Sequence, residues 1–172
     1  MIPSGYTRSQ VLSLEACTNC QLCAEVCPAV RASDDGQLSG VWRLEELRKL
    51  LRKRFGLLSR LLGRTKLNQE DLAKFGQTVY RCTLCANCQQ VCPVGIGLKD
   101  IWLALRQDLN DLEGHPEKVD LIGENLESSY NVFDEDNEER SEWVEDMDEE
   151  PDDGLVRDEA EVVYFTGCVA SF

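Results

Sequence analysis

The sequence contains one histidine, and its 172 residues include no apolar run near the roughly 20 that a membrane-crossing helix needs. His115 stands in Gly-His-Pro-Glu-Lys with no second histidine or carboxylate at ligand spacing, so it reads as a turn residue. The start, Met1 to Gln10, lacks the apolar stretch of a secretory signal, which makes a cytoplasmic location the expectation. Phosphate loops, nucleophile–base motifs and dinucleotide fingerprints are missing too; Gly95 and Gly97 form a turn signal without the helix context of a nucleotide loop. These absences exclude nucleotide chemistry and leave no visible substrate site. Basic residues are scarce in the second part. From Asp108 onward there are 23 acidic and 3 basic residues, against 9 acidic and 15 basic before it, so nucleic acid is an unsuited partner for the whole chain of net charge −14. Membrane association is not expected either.

What the sequence does have is cysteine, nine in all. A reducing cytoplasm disfavours a disulfide framework, so spacing must decide what the thiols do. Cys17, Cys20, Cys23 and Cys27 recur as Cys82, Cys85, Cys88 and Cys92, each displaced by 65 residues, with Pro28 recurring as Pro93. Thr18 and Val26 recur as Thr83 and Val91, so seven of the twelve positions from Cys17 to Pro28 are identical in the second copy. Such agreement points to duplication of one binding unit.

Each run reads CxxCxxCxxxCP, in which three close thiolates wrap one corner of a four-iron cubane and the fourth ligates the neighbouring cluster. Applied here, the rule assigns Cys17, Cys20, Cys23 and Cys92 to one cluster and Cys82, Cys85, Cys88 and Cys27 to the other. Four-thiolate zinc is the alternative, but it leaves the third regularly spaced cysteine and the Cys-Pro of each run without a reason. A thioredoxin-type dithiol lacks its flanking αβ pattern. The expected cofactors are therefore two [4Fe-4S] clusters, close enough for a short electron path. Cys168 stands apart as a spare candidate ligand.

Between the runs, Leu44, Leu47, Leu51, Phe55, Leu58 and Leu62 follow steps of three and four, which predicts one helix of about five turns over 41–62, ended by Gly63. Its basic side carries Arg43, Arg48, Lys49, Arg52, Lys53, Arg54 and Arg60; this is a solvated face, a docking surface for an acidic partner or tail, or a contact with anionic lipid. Asn68 should cap a shorter helix using Leu72, Phe75 and Val79, and Leu98, Ile101, Trp102 and Leu105 suggest another through about Leu109. Trp42 and Trp102 read as core or interface aromatics. The fold class expected is mainly α: an α-helical ferredoxin-type domain with two cluster-binding loops over 1–112, an acidic extension over 113–160, and a short terminal strand over 161–172. The acidic run from Asp134 to Asp153 should be extended or mobile unless a partner holds it.

The two runs and the helical insert between them resemble the iron–sulfur electron-transfer unit of heterodisulfide reductases, found as their C subunit or as the first part of their D subunit. Similar units occur in glycolate oxidase and anaerobic glycerol-3-phosphate dehydrogenase. Asn131, followed by Arg140 and Trp143, resembles a connecting segment of the D-type proteins, and the ending VVYFTGCVASF looks like the opening strand of their cysteine-rich CCG-type domain. The resemblance implies electron relay between a flavoprotein or other redox subunit and a cysteine-rich subunit or domain, in an anaerobic oxidoreductase complex. It implies no catalytic residue in this chain. It also implies that more polypeptide, or a separate chain, supplies the rest of the cysteine-rich domain. The other readings are an iron–sulfur subunit of a flavin-linked 2-hydroxy-acid or glycerol-phosphate dehydrogenase, and a redox-inactive cluster scaffold.

Overall fold

The computed structural model describes residues 6–63, 66–144, 147, 159–163 and 165–172, and of Arg60 the backbone alone. The chain divides into two compact units, Met1–Pro116 and Glu117–Phe172. The first unit repeats one pattern: a leading helix, a cysteine loop, and a long helix that packs back. In its first half, α1 (Arg8–Glu15) begins at Thr7, whose hydroxyl accepts from Gln10 N while the Gln10 side chain accepts from Thr7 N. That reciprocal cap satisfies two backbone donors that the first turn leaves unpaired. α1 delivers Cys17, and the single-turn α2 (Leu22–Glu25) lies within the cysteine run. Pro28 then opens α3 (Pro28–Ser33), a position where its missing N–H costs nothing. A 3-10 turn, Gly36–Leu38, leads to α4 (Gly40–Phe55), capped by Ser39 Oγ accepting from Trp42 N at 3.2 Å.

The second half starts after α5 (Leu57–Leu61) with α6 (Gln69–Tyr80), where Asn68 caps as expected by accepting from Glu70 N at 3.1 Å. α7 (Asn87–Gln90) sits in the second cysteine run as α2 does in the first, and α8 (Leu98–Asp111) is the second long helix. Both α2 and α7, and both α6 and α8, pack against each other. Apolar faces predicted from periodicity meet in one core: Leu44 and Leu47 of α4, Val79 of α6, and Ile101, Trp102 and Leu105 of α8 are all at most 1% exposed. Burial at this level is what holds short helices that would be marginal alone. The mainly helical class stands, with no strand among the described residues.

Three expectations need correction. The helix predicted over 41–62 breaks at Gly56, whose backbone turns to φ −62°, ψ 141° while its N–H still bonds Arg52 O at 2.9 Å. A Cβ at Gly56 would lie 2.2 Å from that carbonyl oxygen, so a residue without a side chain is needed there. After the break, Leu58 and Leu62 leave the core face and are exposed. Nor is the basic side of this helix a solvated face throughout, since Arg43 is 2% exposed. Lys49 pairs with Glu46, and Arg52 with Glu15, while Arg54 stacks over Phe55.

The third correction concerns residues 161–172. No strand forms among those described; Val162, Val163 and Phe165 are exposed and residues 167–171 make a turn. A lone strand has no neighbour to accept and donate its backbone bonds, so the apolar run alone does not create one.

The second unit contains α9 (Lys118–Ser128) and a 3-10 segment, Asn137–Val144, so this part of the acidic run is wound rather than extended. Residues 145, 146 and 148–153 of that run lie outside the described residues. Asn131 organises the turn before it: fully buried, it donates to Glu135 O at 2.8 Å and accepts from Phe133 N and Glu135 N at 3.1 Å. Arg140 lies over the Phe172 ring at 5.1 Å and donates to Cys168 Sγ at 3.9 Å. The amide of Val132 and the guanidinium of Arg140 hold the Cys168 thiol below its ordinary pKa.

Candidate metal centre

The cysteine loops are shaped by backbone that the sequence does not advertise. Asn19 and Gln21 in the first run adopt left-handed φ of 54° and 67°, and Leu84 and Ala86, 65 residues on, adopt 56° and 64°. Left-handed backbone is costly for residues with a Cβ and concentrates at functional sites. Here it flanks Cys20 and Cys85, the two exposed thiols of the eight, and curls each run around a hollow.

Two arginines fix where each loop begins. Arg48 of α4 donates through Nε to Leu14 O at 2.8 Å and through Nη2 to Cys17 O at 3.3 Å. Arg106 of α8 donates through Nη2 to Cys82 O at 2.6 Å and reaches Val79 O at 3.5 Å. Leu14 and Val79 are 65 residues apart, as are Cys17 and Cys82, so both long helices grip the same two carbonyls of their repeats. Read from the sequence, Arg48 belongs to a basic side that is solvated or faces an acidic partner or lipid, and Arg106 carries no signal at all.

The hollows are two cavities. One is lined by Cys17, Cys20 and Cys23 of the first run and by Cys92 of the second. The other is lined by Cys82, Cys85 and Cys88 and by Cys27. Each run thus sends its last cysteine to the cavity of the other. Gly40, at the start of α4, stands between them: a Cβ there would lie 3.4 Å from Cys23 Sγ and 3.6 Å from Cys88 Cβ. All nine cysteines are free thiols.

These residues fit a polynuclear cluster better than a single ion. A tetrahedral zinc needs four sulfurs within about 2.3 Å of one point, and no group of three Cys, His, Asp or Glu side chains among the described residues is placed to hold a single metal ion. The thiols stand around a volume instead. Burial pushes the Cys23 thiol up to about 11 and also raises Cys88, against the lowering effect of Trp102 and Arg43. Holding such thiols as thiolates calls for a strong positive centre in the cavity, as metal coordination provides. The second cavity also presents a buried donor without a hydrogen-bond partner, Arg43 Nε. Among the described residues no carboxylate pairs with Arg43, so an anionic occupant would supply its missing counter-charge.

Residues 13–96 match the family described as a 4Fe-4S dicluster domain. The whole chain is similar to the D subunit of the dihydromethanophenazine:CoB--CoM heterodisulfide reductase of Methanosarcina mazei, 33% identical over 172 residues, covering 98% of this chain and 40% of that protein. The protein of the same name in Methanosarcina barkeri is 32% identical over the same share of both chains. A shorter match, 30% identical over 107 residues, covers 60% of this chain and 19% of the Hdr-like menaquinol oxidoreductase iron-sulfur subunit 2 of Archaeoglobus fulgidus. The chain spans about 40% of the length of the two Methanosarcina relatives. No solved structure matches it. Among the described residues no helix is long and apolar enough to cross a membrane.

Proposed function

Because the chain is an iron–sulfur protein akin to the D subunit of heterodisulfide reductases, with a 4Fe-4S dicluster domain over residues 13–96, we propose that it relays electrons between a flavin-bearing or other redox subunit and a cysteine-rich catalytic subunit or domain. Two [4Fe-4S] clusters, when bound, supply one-electron donors and acceptors. Cys17, Cys20, Cys23 and Cys92 hold the first, and Cys82, Cys85, Cys88 and Cys27 hold the second.

The observation that carries this reading is the sharing of thiols, three from one run and one from the other in each cavity. Crossed holding keeps the two sites at a fixed, short separation, with Gly40 leaving the space between Cys23 and Cys88 free of side chain. Leu44, Ile96 and Leu98 wall the first cavity and exclude water from its inner side. Cys20 and Cys85 lie at the surface, where an external donor and acceptor could approach each site. The relatives' names, subunits of a heterodisulfide reductase and of a menaquinol oxidoreductase, support assembly with other redox proteins.

Anaerobic analysis of the native complex tests the proposal: about eight irons and eight sulfides on this chain, little zinc, and a cysteine-rich partner are expected. Zinc without sulfide would overturn it. A co-purifying 2-hydroxy-acid or glycerol-phosphate dehydrogenase flavoprotein would replace the partner assignment, and clusters that keep one oxidation state through turnover would leave only a scaffold.

A further inference from the structure

The two cavities are built from equivalent positions filled by different chemistry. Matching Arg48 to Arg106 sets α4 and α8 in register with an offset of 58 residues. In that register Val41 and Leu44, which line the first cavity, correspond to Lys99 and Trp102, which line the second. Arg43, which lines the second, corresponds to Ile101, fully buried in α8. At the first two pairs the first site receives an aliphatic side chain and the second a cation or an N–H donor; at the third the second site gains a guanidinium whose counterpart is a buried core residue that does not line the first.

Arg43 is the strongest of these differences. Its guanidinium is 2% exposed, donates to Leu38 O, and lies 5.5 Å from the Trp102 ring centroid, with Nε unpartnered. Arginine stays protonated at any working pH. A buried positive charge acts through a low effective dielectric and is weakly screened by salt, whereas the exposed Lys99 is screened strongly. Adding an electron to a cluster adds negative charge, and nearby cations and hydrogen-bond donors to its sulfurs favour that state.

We infer that Arg43 makes the two sites redox-unequal, so that the cluster held with Cys82, Cys85, Cys88 and Cys27 takes an electron more readily than its neighbour. The second site is then the low-energy station of the pair, and Trp102 and Lys99 add to the same bias. This rests on the cluster assignment proposed above.

The test is an anaerobic redox titration of the cluster-loaded full chain followed by electron paramagnetic resonance, with iron and sulfide measured on the same samples. Two distinct midpoints are expected, and Cys85→Ser should alter the signal belonging to the higher one. Arg43→Met, which approximates the isoleucine of the other repeat, should lower the higher midpoint, leave the lower in place and narrow the gap; Arg43→Lys should keep most of it. Should Arg43→Met fail to load, the exposed Lys99→Met should give a smaller fall of the same midpoint that disappears at high salt. Coincident midpoints in the unmodified protein, or variants that move both midpoints equally, move the lower one or move neither, would overturn the inference while leaving two clusters intact. Fewer than two clusters in the unmodified protein would overturn the assignment beneath it.

Discussion

Asn19 and Gln21 in the first cysteine run share a left-handed backbone with Leu84 and Ala86 in the second, although neither pair is the same residue. The walls around the runs do the opposite. Val41 and Leu44 face the first cavity where Lys99 and Trp102 face the second, although α4 and α8 are equivalent helices. Loop geometry is thus held constant by the thiol spacing and the arginine grips, and variation is left to the long helices. A duplicated unit that kept both would bind two identical groups with no preferred direction for an electron. This one keeps the holder and changes the surroundings.

Loss of a single Cys-Pro cysteine should be the most damaging change, and it shows whether the two sites share ligands. Cys27→Ser should remove the cluster at Cys82, Cys85 and Cys88, and Cys92→Ser the one at Cys17, Cys20 and Cys23, each with a loss of about four irons from eight. Iron analysis with spectroscopy of the surviving signal reads the outcome. If each variant instead lost the cluster of its own run, holding would be local and the comparison would be between two independent sites.

A second effect falls on both sites together. Gly40→Ala places a Cβ at ordinary contact distance from Cys23 and Cys88 and should load nearly normally, whereas Gly40→Val adds methyl groups that must displace one thiol or the other. Loss of iron from both clusters in Gly40→Val, measured by iron and sulfide content, is expected. Full loading would show that the gap between the sites has room to spare.

Much of this is legible in the sequence. The 65-residue displacement of four cysteines and a proline announces the two loops, and the crossed ligation proposed for the thiols rests on the same spacing. Steps of three and four in the apolar residues locate α4, α6 and α8, and Asn68 marks the start of α6. Arg43 is misread when charge is weighed before position: it lies four residues before Leu47, on the buried face, and the Leu38 carbonyl together with the Trp102 ring makes that place habitable for a guanidinium. The left-handed residues are invisible because three of the four are types that seldom adopt such backbone, and the loop imposes it on them. Gly56 yields to Gly63 as the expected stop because periodicity continues past it, while the backbone does not.

Next in size are the grips on the loops. Removing Arg48 takes away bonds to Leu14 O and Cys17 O, and removing Arg106 those to Val79 O and Cys82 O. A hydrogen bond to a charged donor contributes about 1.5–3 kcal/mol, so Arg48→Ala and Arg106→Ala should each cost about 2 kcal/mol in thermal or denaturant unfolding. In the loaded protein, Arg48→Ala should broaden the spectrum of the first cluster and Arg106→Ala that of the second. Equal disturbance of both spectra by either change would mean that the grips serve the core and not their own loops.

The smallest effect concerns the helices that lead into the loops. α1 is closed at its start by a reciprocal pair, Thr7 with Gln10, and α6 by Asn68 alone. Losing an N-cap side chain typically costs about 1 kcal/mol, and Thr7→Ala removes the hydroxyl half of a two-way arrangement, leaving the Gln10 side chain only its bond from the backbone N–H of residue 7. α1 is eight residues long with Leu14 its buried residue, whereas α6 is twelve residues long and buries Leu72, Phe75 and Val79. Packing therefore holds α6 when its cap is lost, and holds α1 less well. Hydrogen exchange should show faster opening of α1 in Thr7→Ala than of α6 in Asn68→Ala, with the change extending to Ala16 and Cys17 at the first loop but stopping short of Cys82 at the second. The reverse order would mean that α1 is secured chiefly by Arg48 and the Arg52–Glu15 pair at its far end, and that the first loop depends on α4 alone.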